Sequence, residues 1–414
     1  MRSRIGPLAP PTRAAIAVLG CCFAFGLLGR GIMESYAVFI LPLSTEFGWD
    51  RTSLSGVYSV AFLAIGWSGP LVGFLFDRFG PVVVYTIGLA LAASATLAAA
   101  FAGELWQFYL TLGLAYGFAA ACLGAVSMAS LLARWFRERL NSALAFGYAS
   151  ASLGILLTAP LAQQLIDGYG WRHAYLVFSA ILLAASPLLL LLRRVKAGEG
   201  HPDFPTRRKA PGERRLPADG MTLKEAFRSA AFWGLIFTFT MTGVGMFTAI
   251  LQVPAFLVEI GYSPQYAARA FGLVGLLAPP GMIGFGWLGD RIGRRNSVLL
   301  SYAGTVLGMA CLLGLTQGPS LPLVAGFVVF FGGTFGSRGP AISAIAAGVF
   351  RGPEMGRFYG FITIGMGLGG ALGAWFGGFW HDVTGGYVFG LCFAMVAVSM
   401  GGMPFLLIRQ LARS

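Results

Sequence analysis

Charge is scarce in this sequence, and acid most of all. Only 16 Asp and Glu stand among 414 residues, beside three His, and charged residues of both signs make up 11% of the chain. Soluble domains carry about 25%, so a chain with this little polar surface is not a soluble domain facing water on every side. Cysteine is rare as well. Cys21, Cys22, Cys122, Cys311 and Cys392 all lie inside apolar runs with no CxxC spacing, which argues against a disulfide framework or thiolate metal site and reads as small packing residues. Catalytic spacings are missing: there is no HExxH, no P-loop and no GxSxG. His173 and His201 have no nucleophile or ligand to pair with. No enzyme activity, metal, cofactor or ATP site is expected.

What the chain has is apolar length. Hydrophobic residues make up 57% and the mean hydropathy is +0.75. A helix needs roughly 20 apolar residues to cross a membrane. Twelve such spans emerge, at about 14–41, 53–76, 81–101, 105–132, 140–166, 174–192, 231–259, 267–289, 297–317, 321–350, 356–380 and 387–408. The first is too long for the apolar core of a signal peptide, so it is expected to stay as a membrane helix. Six spans precede and six follow one hydrophilic stretch, which divides the chain into 1–192, a linker at 193–230 and 231–414. The linker is rich in Arg, Lys, Pro and Gly, and it ends in a short amphipathic run, Met221 to Phe227, expected to lie on the membrane surface.

The basic excess, +13 overall, sits between the apolar runs rather than on one soluble module, which argues for lipid headgroups and topology over nucleic acid. With both termini in the cytoplasm, 24 Lys and Arg fall on the cytoplasmic side and three, Arg51, Arg172 and Arg269, on the other. That bias sets the orientation in an inner membrane. Glycine is abundant, with 60 residues, and in lipid it lets helices approach closely. Gly365-Met366-Gly367-Leu368-Gly369-Gly370 matches GxGxxG, but no strand precedes it, so close helix packing is the reading kept. Ala278-Pro279-Pro280-Gly281 should kink the eighth span.

The chain is also written twice. Gly73 to Gly80, containing Asp77-Arg78, is echoed by Gly286 to Gly293, containing Asp290-Arg291, 213 residues later. The glycine-patterned runs starting at Gly147 and Gly360 share that offset. Two landmarks with one spacing indicate a duplicated membrane bundle.

The two Asp-Arg turns resemble the signature of the major facilitator superfamily. The second copy is fuller, ending Gly293-Arg294-Arg295, whereas the first continues into Pro81-Val82. A finer resemblance is to the monocarboxylate transporter branch and the related oxalate–formate antiporters. It rests on Trp135 to Gly147 leading into the fifth span, on Glu46 to Arg51, and on Gly170-Trp171-Arg172. The resemblance implies an all-α membrane protein with 12 transmembrane helices in two pseudo-symmetric six-helix bundles. It also implies alternating access, with Asp77, Arg78, Asp290 and Arg291 as gating residues whose carboxylates latch onto an arginine of the neighbouring bundle. Simple anchoring at the membrane edge is the plainer alternative. The branch often carries an arginine in the eighth helix as the substrate's charge partner, and none occurs here from Leu276 to Gly289.

Ionisable groups inside a membrane cost several kcal/mol, so each needs a reason. Arg30 and Arg338 fall near the middle of the first and tenth spans, and the resemblance puts the first, fourth, seventh and tenth helices around one central cavity. Two guanidinium forks there could clamp a carboxylate, or each could be a structural charge neutralised locally. Glu34 stands four residues after Arg30 on the same helical face. It reads either as a proton carrier that releases Arg30 on protonation or as a permanent neutraliser. Tyr36, Tyr116, Ser127, Met128, Gln252 and Ser337 are expected around the site, with Tyr36, Tyr116, Gln252 and Ser337 the further candidates for substrate contact, while Glu259, His381 and Asp382 fall at outer span ends and are expected to be simply solvated. The resulting expectation is uptake or exchange of a small organic acid anion, with a proton, by a monomer in membrane lipid. Alternatives are an oxalate–formate type exchanger, efflux of an unrelated amphiphile, or a receptor that moves no solute.

Overall fold

The computed structural model describes residues 13–136, 140–199, 225, 227–338, 342, 345 and 355–412; the side chains of 140–142, 145, 290, 355–363, 409 and 412 are not among them. The expected surface helix from Met221 to Phe227 and the latter part of the 321–350 span lie outside the described residues, apart from 225, 227, 342 and 345.

Among the described residues there is no strand. Ten helices are long and apolar enough to cross a membrane, and in chain order with the others they are labelled as follows. In the first half, α1 is Arg13–Phe47, α2 Arg51–Phe79, α3 Pro81–Ala100 and α4 Leu105–Trp135, followed by α5 Leu140–Tyr169 and α6 Trp171–Arg194. In the second, α7 is Ala230–Glu259, α8 Pro264–Ile292, α9 Arg294–Leu315 and α12 Val388–Leu407. The shorter apolar helix Leu321–Gly332 begins α10, which runs on to Arg338, and Met355–Thr384 is α11. Six elements stand on either side of the linker, as the spans predict. The helices outrun the apolar spans because polar residues finish them. Asp50 and Ser263 cap α2 and α8 by accepting from the Ser53 and Tyr266 amides, and Pro264 takes the first helical position.

The halves match in detail. Helices α2 and α8 each have 29 residues, and α5 and α11 each have 30. The breaks match as well. Helix α1 is interrupted at Ser35 and α7 at Leu251–Gln252; α4 and α10 each carry a π-helical segment, at Tyr109–Ala115 and Val328–Gly332. Helix α4 is then interrupted at Gly124 and α10 at Phe335–Ser337; Gly124 and Ser337 stand 337 − 124 = 213 residues apart, the offset of the sequence repeat. Helices α6 and α12 break just before Pro187 and Pro404, while the other six are continuous. The same members are broken in each half. Paired discontinuities of this kind mark where a membrane bundle builds a polar site.

The repeated Asp-Arg-x-Gly turns also acquire a cause. Gly80 (φ 83°) and Gly293 (φ 88°) are the single residues that join α2 to α3 and α8 to α9. Only glycine takes that backbone without strain, so one residue can reverse the chain.

Glycine also sets how closely helices touch. Within the first half Gly31 of α1 lies against Gly154 of α5, and within the second Gly243 of α7 lies against Gly369 and Gly370 of α11. The GxGxxG run is therefore a helix contact surface. The α8 helix stays continuous across Pro279 and Pro280, and the next residue, Gly281, is its tightest contact. A Cβ there would sit 1.8 Å from the Gly333 carbonyl oxygen of α10. Backbone cannot yield as a side chain can, so Gly281→Val is expected to destabilise the second half by at least about 2 kcal/mol. The check is the thermal midpoint and monodispersity of the purified protein; an unchanged midpoint would contradict this packing.

Between halves, Gly66 and Phe62 of α2 meet Gly367 and Gly370 of α11, and Ser152 and Leu156 of α5 meet Gly275 and Gly272 of α8. These contacts start at mid-helix and continue away from the Asp-Arg turns, up to Arg51 against Gly378. Nearer the Asp-Arg turns, Gly69, Gly73, Gly284 and Gly286 on the same helices meet nothing within 4 Å.

Candidate functional site

Arg338 follows the interruption in α10, where the Ser337 hydroxyl donates back to the Thr334 carbonyl at 3.0 Å. The arginine is 4% exposed. Its Nη2 donates to Thr305 Oγ1 at 2.6 Å and lies 3.4 Å from the Met246 sulfur. Its guanidinium carbon stands 4.6 Å from the centre of the Tyr302 ring, and Tyr302 is itself fixed by a 2.7 Å hydrogen bond to Thr242. Among the described residues Nε and Nη1 have no hydrogen-bond partner. Among the described residues no carboxylate lies within ion-pair distance. A buried cation with two free donors and no counter-ion is costly unless something fills the place.

Arg30 is differently placed. Its Nη2 pairs with Glu34 Oε1 at 2.8 Å, one helical turn away, and its side chain keeps 30% exposure against 6% for Glu34. The other Glu34 oxygen accepts a hydrogen bond from the Tyr58 hydroxyl. The Arg30 guanidinium stands over Phe62 at 5.1 Å, close enough for a cation–π attraction. Phe62 meets Phe247 of α7 at 4.3 Å between ring centres, and the residue before Phe247 is the Met246 that touches Arg338. Arg30 thus stands against an aromatic pair that bridges the halves, and Arg338 touches the residue next in sequence to its other member. Arg30 and Glu34 cancel, so the net charge of the three ionised groups is that of Arg338.

The other candidates divide by what their polar atoms already do. Tyr36 and Tyr116 donate to the carbonyls of Leu54 (2.9 Å) and Gly29 (3.2 Å), and with Ile32, Met33, Val57 and Tyr58 they line a small apolar cavity inside the first half. Gln252 bonds across the halves, donating to Ser55 Oγ at 2.9 Å, while its buried Oε1 has no partner. Asp77 Oδ1 lies 3.4 Å from Arg134 Nη2, in its own half rather than the neighbouring bundle. Arg78 lies over Phe74 and Phe79, and Arg291 over Trp287 at 3.9 Å. The Asp290 side chain is outside the described residues. With the named contacts between halves confined to the other end, Asp77 faces its own bundle.

Three residues expected to be solvated are instead part of a cross-half cluster. At the end away from the Asp-Arg turns, buried Arg51 of α2 pairs through Nη2 with Glu259 of α7 and donates through Nη1 to the Tyr387 hydroxyl at 3.3 Å. Asp382 of α11 accepts from the backbone amides of Arg51 (3.2 Å) and Thr52 (2.6 Å) and from the Thr52 hydroxyl. His381 sits between Glu259 (3.7 Å) and Asp382 (3.4 Å). Position at a span end cannot distinguish a solvated group from one pressed against the other half. Tyr58, Tyr302 and Thr305 were likewise missed, since an aromatic or hydroxyl residue in an apolar helix gives no signal of its own. The two loop motifs do meet: Glu46 accepts from Trp171 and Arg172, and Trp49 stacks on Phe47 at 4.2 Å.

A family profile described as Major Facilitator Superfamily matches residues 19–337 and 280–413. The chain belongs to that superfamily. Among curated relatives, monocarboxylate transporter 13 of Rattus norvegicus is 27% identical over 378 residues, covering 90% of this chain and 83% of that one. Monocarboxylate transporter 11 of Homo sapiens is 27% identical over 390 residues, covering 92% and 80%. The uncharacterized MFS-type transporter YcxA of Bacillus subtilis (strain 168) is 24% identical over 413 residues, covering 94% and 95%. Among solved structures, a D-xylose-proton symporter superposes with a TM-score of 0.72 at 15% identity, covering 95% of this chain and 97% of that one. That likeness shows the major facilitator fold. Within this major facilitator chain the buried guanidinium stands on α10, and α8 has no arginine from Leu276 to Gly289.

Proposed function

We propose that the protein is a secondary transporter of a small organic acid anion, working by alternating access with a proton as the coupled ion. The observation that carries this reading is Arg338, a buried cation with two unfilled donors and no carboxylate within ion-pair reach among the described residues. A carboxylate supplies both the charge and the paired acceptors that a guanidinium fork lacks here. The similarity to monocarboxylate transporters 13 and 11 supports a monocarboxylate, and one net positive charge on Arg30, Glu34 and Arg338 together fits a substrate with one negative charge. Closure of the seam at the end away from the Asp-Arg turns suits the state in which substrate exchanges with the Asp-Arg side. The basic-residue bias makes that side, with both termini, the cytoplasmic face of an inner membrane. Each half contributes one arginine, so a monomer suffices.

The direct test is thermal stabilisation of purified protein by a panel of small carboxylates, followed by counterflow in liposomes. Stabilisation and counterflow by the same acid establish the transporter; stabilisation without flux would instead indicate a receptor, and no stabilisation by any carboxylate would remove the anion site.

Glu34 is the proposed proton carrier. Its protonation would release Arg30 for the anion. Glu34→Gln removes the charge that holds Arg30 and should bind the acid more tightly than the parent when both are measured in one buffer. A variant with parental affinity would return Glu34 to plain neutralisation of Arg30.

A further inference from the structure

Which nitrogen of Arg338 is engaged matters as much as how many are free. A guanidinium grips a carboxylate with two parallel hydrogen bonds along one edge, either Nη1 with Nη2 or Nε with Nη2, so Nη2 belongs to both edges. Here Nη2 is the atom already taken. It donates to Thr305 Oγ1 at 2.6 Å, and it stands 3.4 Å from the Met246 sulfur and 3.5 Å from the Thr334 carbonyl oxygen. The two atoms without a partner among the described residues, Nε and Nη1, share no edge with each other. One threonine hydroxyl therefore stands in the way of both two-pronged grips.

That hydroxyl comes from α9, which packs against α8, α10 and α12 of its own half. Among the described residues every partner of the guanidinium also belongs to the second half: Met246 on α7, Tyr302 and Thr305 on α9, and Thr334 on α10. Gly304 lets α9 come close enough for this, since a Cβ there would lie 2.8 Å from the Thr334 methyl carbon. Thr305 does not depend on the arginine in return. Its Oγ1 lies 2.7 Å from Thr334 Oγ1 and donates to the Ser301 carbonyl at 3.1 Å. It can release Nη2 and keep its own hydrogen paired, so letting go leaves no orphan behind.

We propose that the Thr305 hydroxyl is an internal competitor for the substrate: it holds the shared donor of Arg338 in the unliganded protein, and a carboxylate oxygen of the organic acid replaces it on Nη2. The exchange trades one hydrogen bond to a charged donor for another, so only the second oxygen and the negative charge remain as net gain. Thr305 acts on affinity through Arg338 and is a positioning residue. The inference rests on the anion reading of Arg338 and adds to it what the acid must displace.

Thr305→Val removes the competing oxygen while keeping nearly the same shape. A residue that only orients the guanidinium weakens binding when it is cut away; a competitor strengthens it. Acetate, propionate and benzoate are titrated calorimetrically into full-length protein in one buffer. The dissociation constant of whichever acid binds the parent should fall at least about tenfold in Thr305→Val, the equivalent of one hydrogen bond to a charged group. Thr305→Ala should tighten binding as well, so the conclusion does not hang on one variant folding, and Thr305→Ser, which restores the hydroxyl, should keep the parental value. Without any acid present, Thr305→Val should lower the melting temperature of the parent more than that of Arg338→Gln, because the bond it removes exists only where the guanidinium does. Equal losses in the two backgrounds would overturn the bond on which the exchange depends. Unchanged or weaker binding by Thr305→Val, with the parent binding an acid, overturns the exchange and leaves the anion site standing. Binding of none of the three acids to parent or variant overturns the anion reading, and the exchange falls with it.

Discussion

Replacing Arg338 with Gln is expected to yield protein that melts at a higher temperature than the parent and no longer binds the organic anion. The two signs come from one cause. Arg338 is 4% exposed, and among the described residues it has no counter-ion and Nε and Nη1 are unpartnered. Removing a buried, unpaired charge relieves its desolvation. In the bound protein the same guanidinium would face a carboxylate, and truncating one partner of a buried charged pair costs about 2–5 kcal/mol. A loss of about 3 kcal/mol corresponds to roughly a 100-fold weaker affinity. Arg338→Lys should keep part of the affinity, since it retains charge but not the fork. Thermal melts with and without the best carboxylate measure both effects. A lower melting temperature with unchanged binding would make Arg338 a structural residue and leave the anion site without its anchor.

Gly378→Val is expected to abolish transport while leaving folded protein. A Cβ at Gly378 would meet the Arg51 carbonyl oxygen at 2.3 Å, its carbon at 2.5 Å and the Thr52 Cα at 2.7 Å, all backbone atoms of the other half. Nothing there can rotate aside. The clash exists only when the seam is shut, so the variant can escape it by staying open, at the loss of the Asp382 cap on α2. Transport should fall at least about 100-fold, since one of the two states that alternating access requires is removed. Spin labels at Thr45→Cys on α1 and Val383→Cys on α11, exposed positions at this end, should report a wider seam than in the parent, in protein that stays folded and monodisperse. Wild-type flux, or a narrow seam, would mean that the two helices slide rather than separate. Gly281 is the contrast. Its clash lies within one half and cannot be escaped by any motion between halves.

Much of the fold was legible because it rests on patterns that need no partner. Apolar length gave the spans, and the doubled Asp-Arg-x-Gly gave the repeat, which the positive φ of Gly80 and Gly293 now accounts for. Arg30, Glu34 and Arg338 were legible because ionisable residues inside an apolar run are conspicuous. The surroundings of those groups were not. That Glu34 takes Tyr58 as well as Arg30, or that Arg338 rests on Tyr302 and Thr305, depends on which helix faces which. Asp77 and the Arg51 cluster show the same limit more sharply. Both are charged groups at helix ends, yet one turns to its own half and the other crosses to the neighbour. That difference depends on which helices pack against which, and a charged residue at a helix end carries no mark of it.

The one-residue joints at Gly80 and Gly293 have a mechanical consequence. A helix pair with a single residue between its members has no slack, so α2 with α3 and α8 with α9 must each travel as a stiff hairpin, and a tilt imposed at one helix reaches its neighbour undiminished. Insertions there would either break the hairpin or detach the lever it forms. The stretch between Arg194 and Ala230 joins the halves and belongs to neither hairpin, and its described start is held to the first half by the Trp135 indole, which donates to the Ala197 carbonyl at 2.9 Å. A tag, a cleavage site or a reporter domain placed in it beyond Glu199 leaves both one-residue joints untouched.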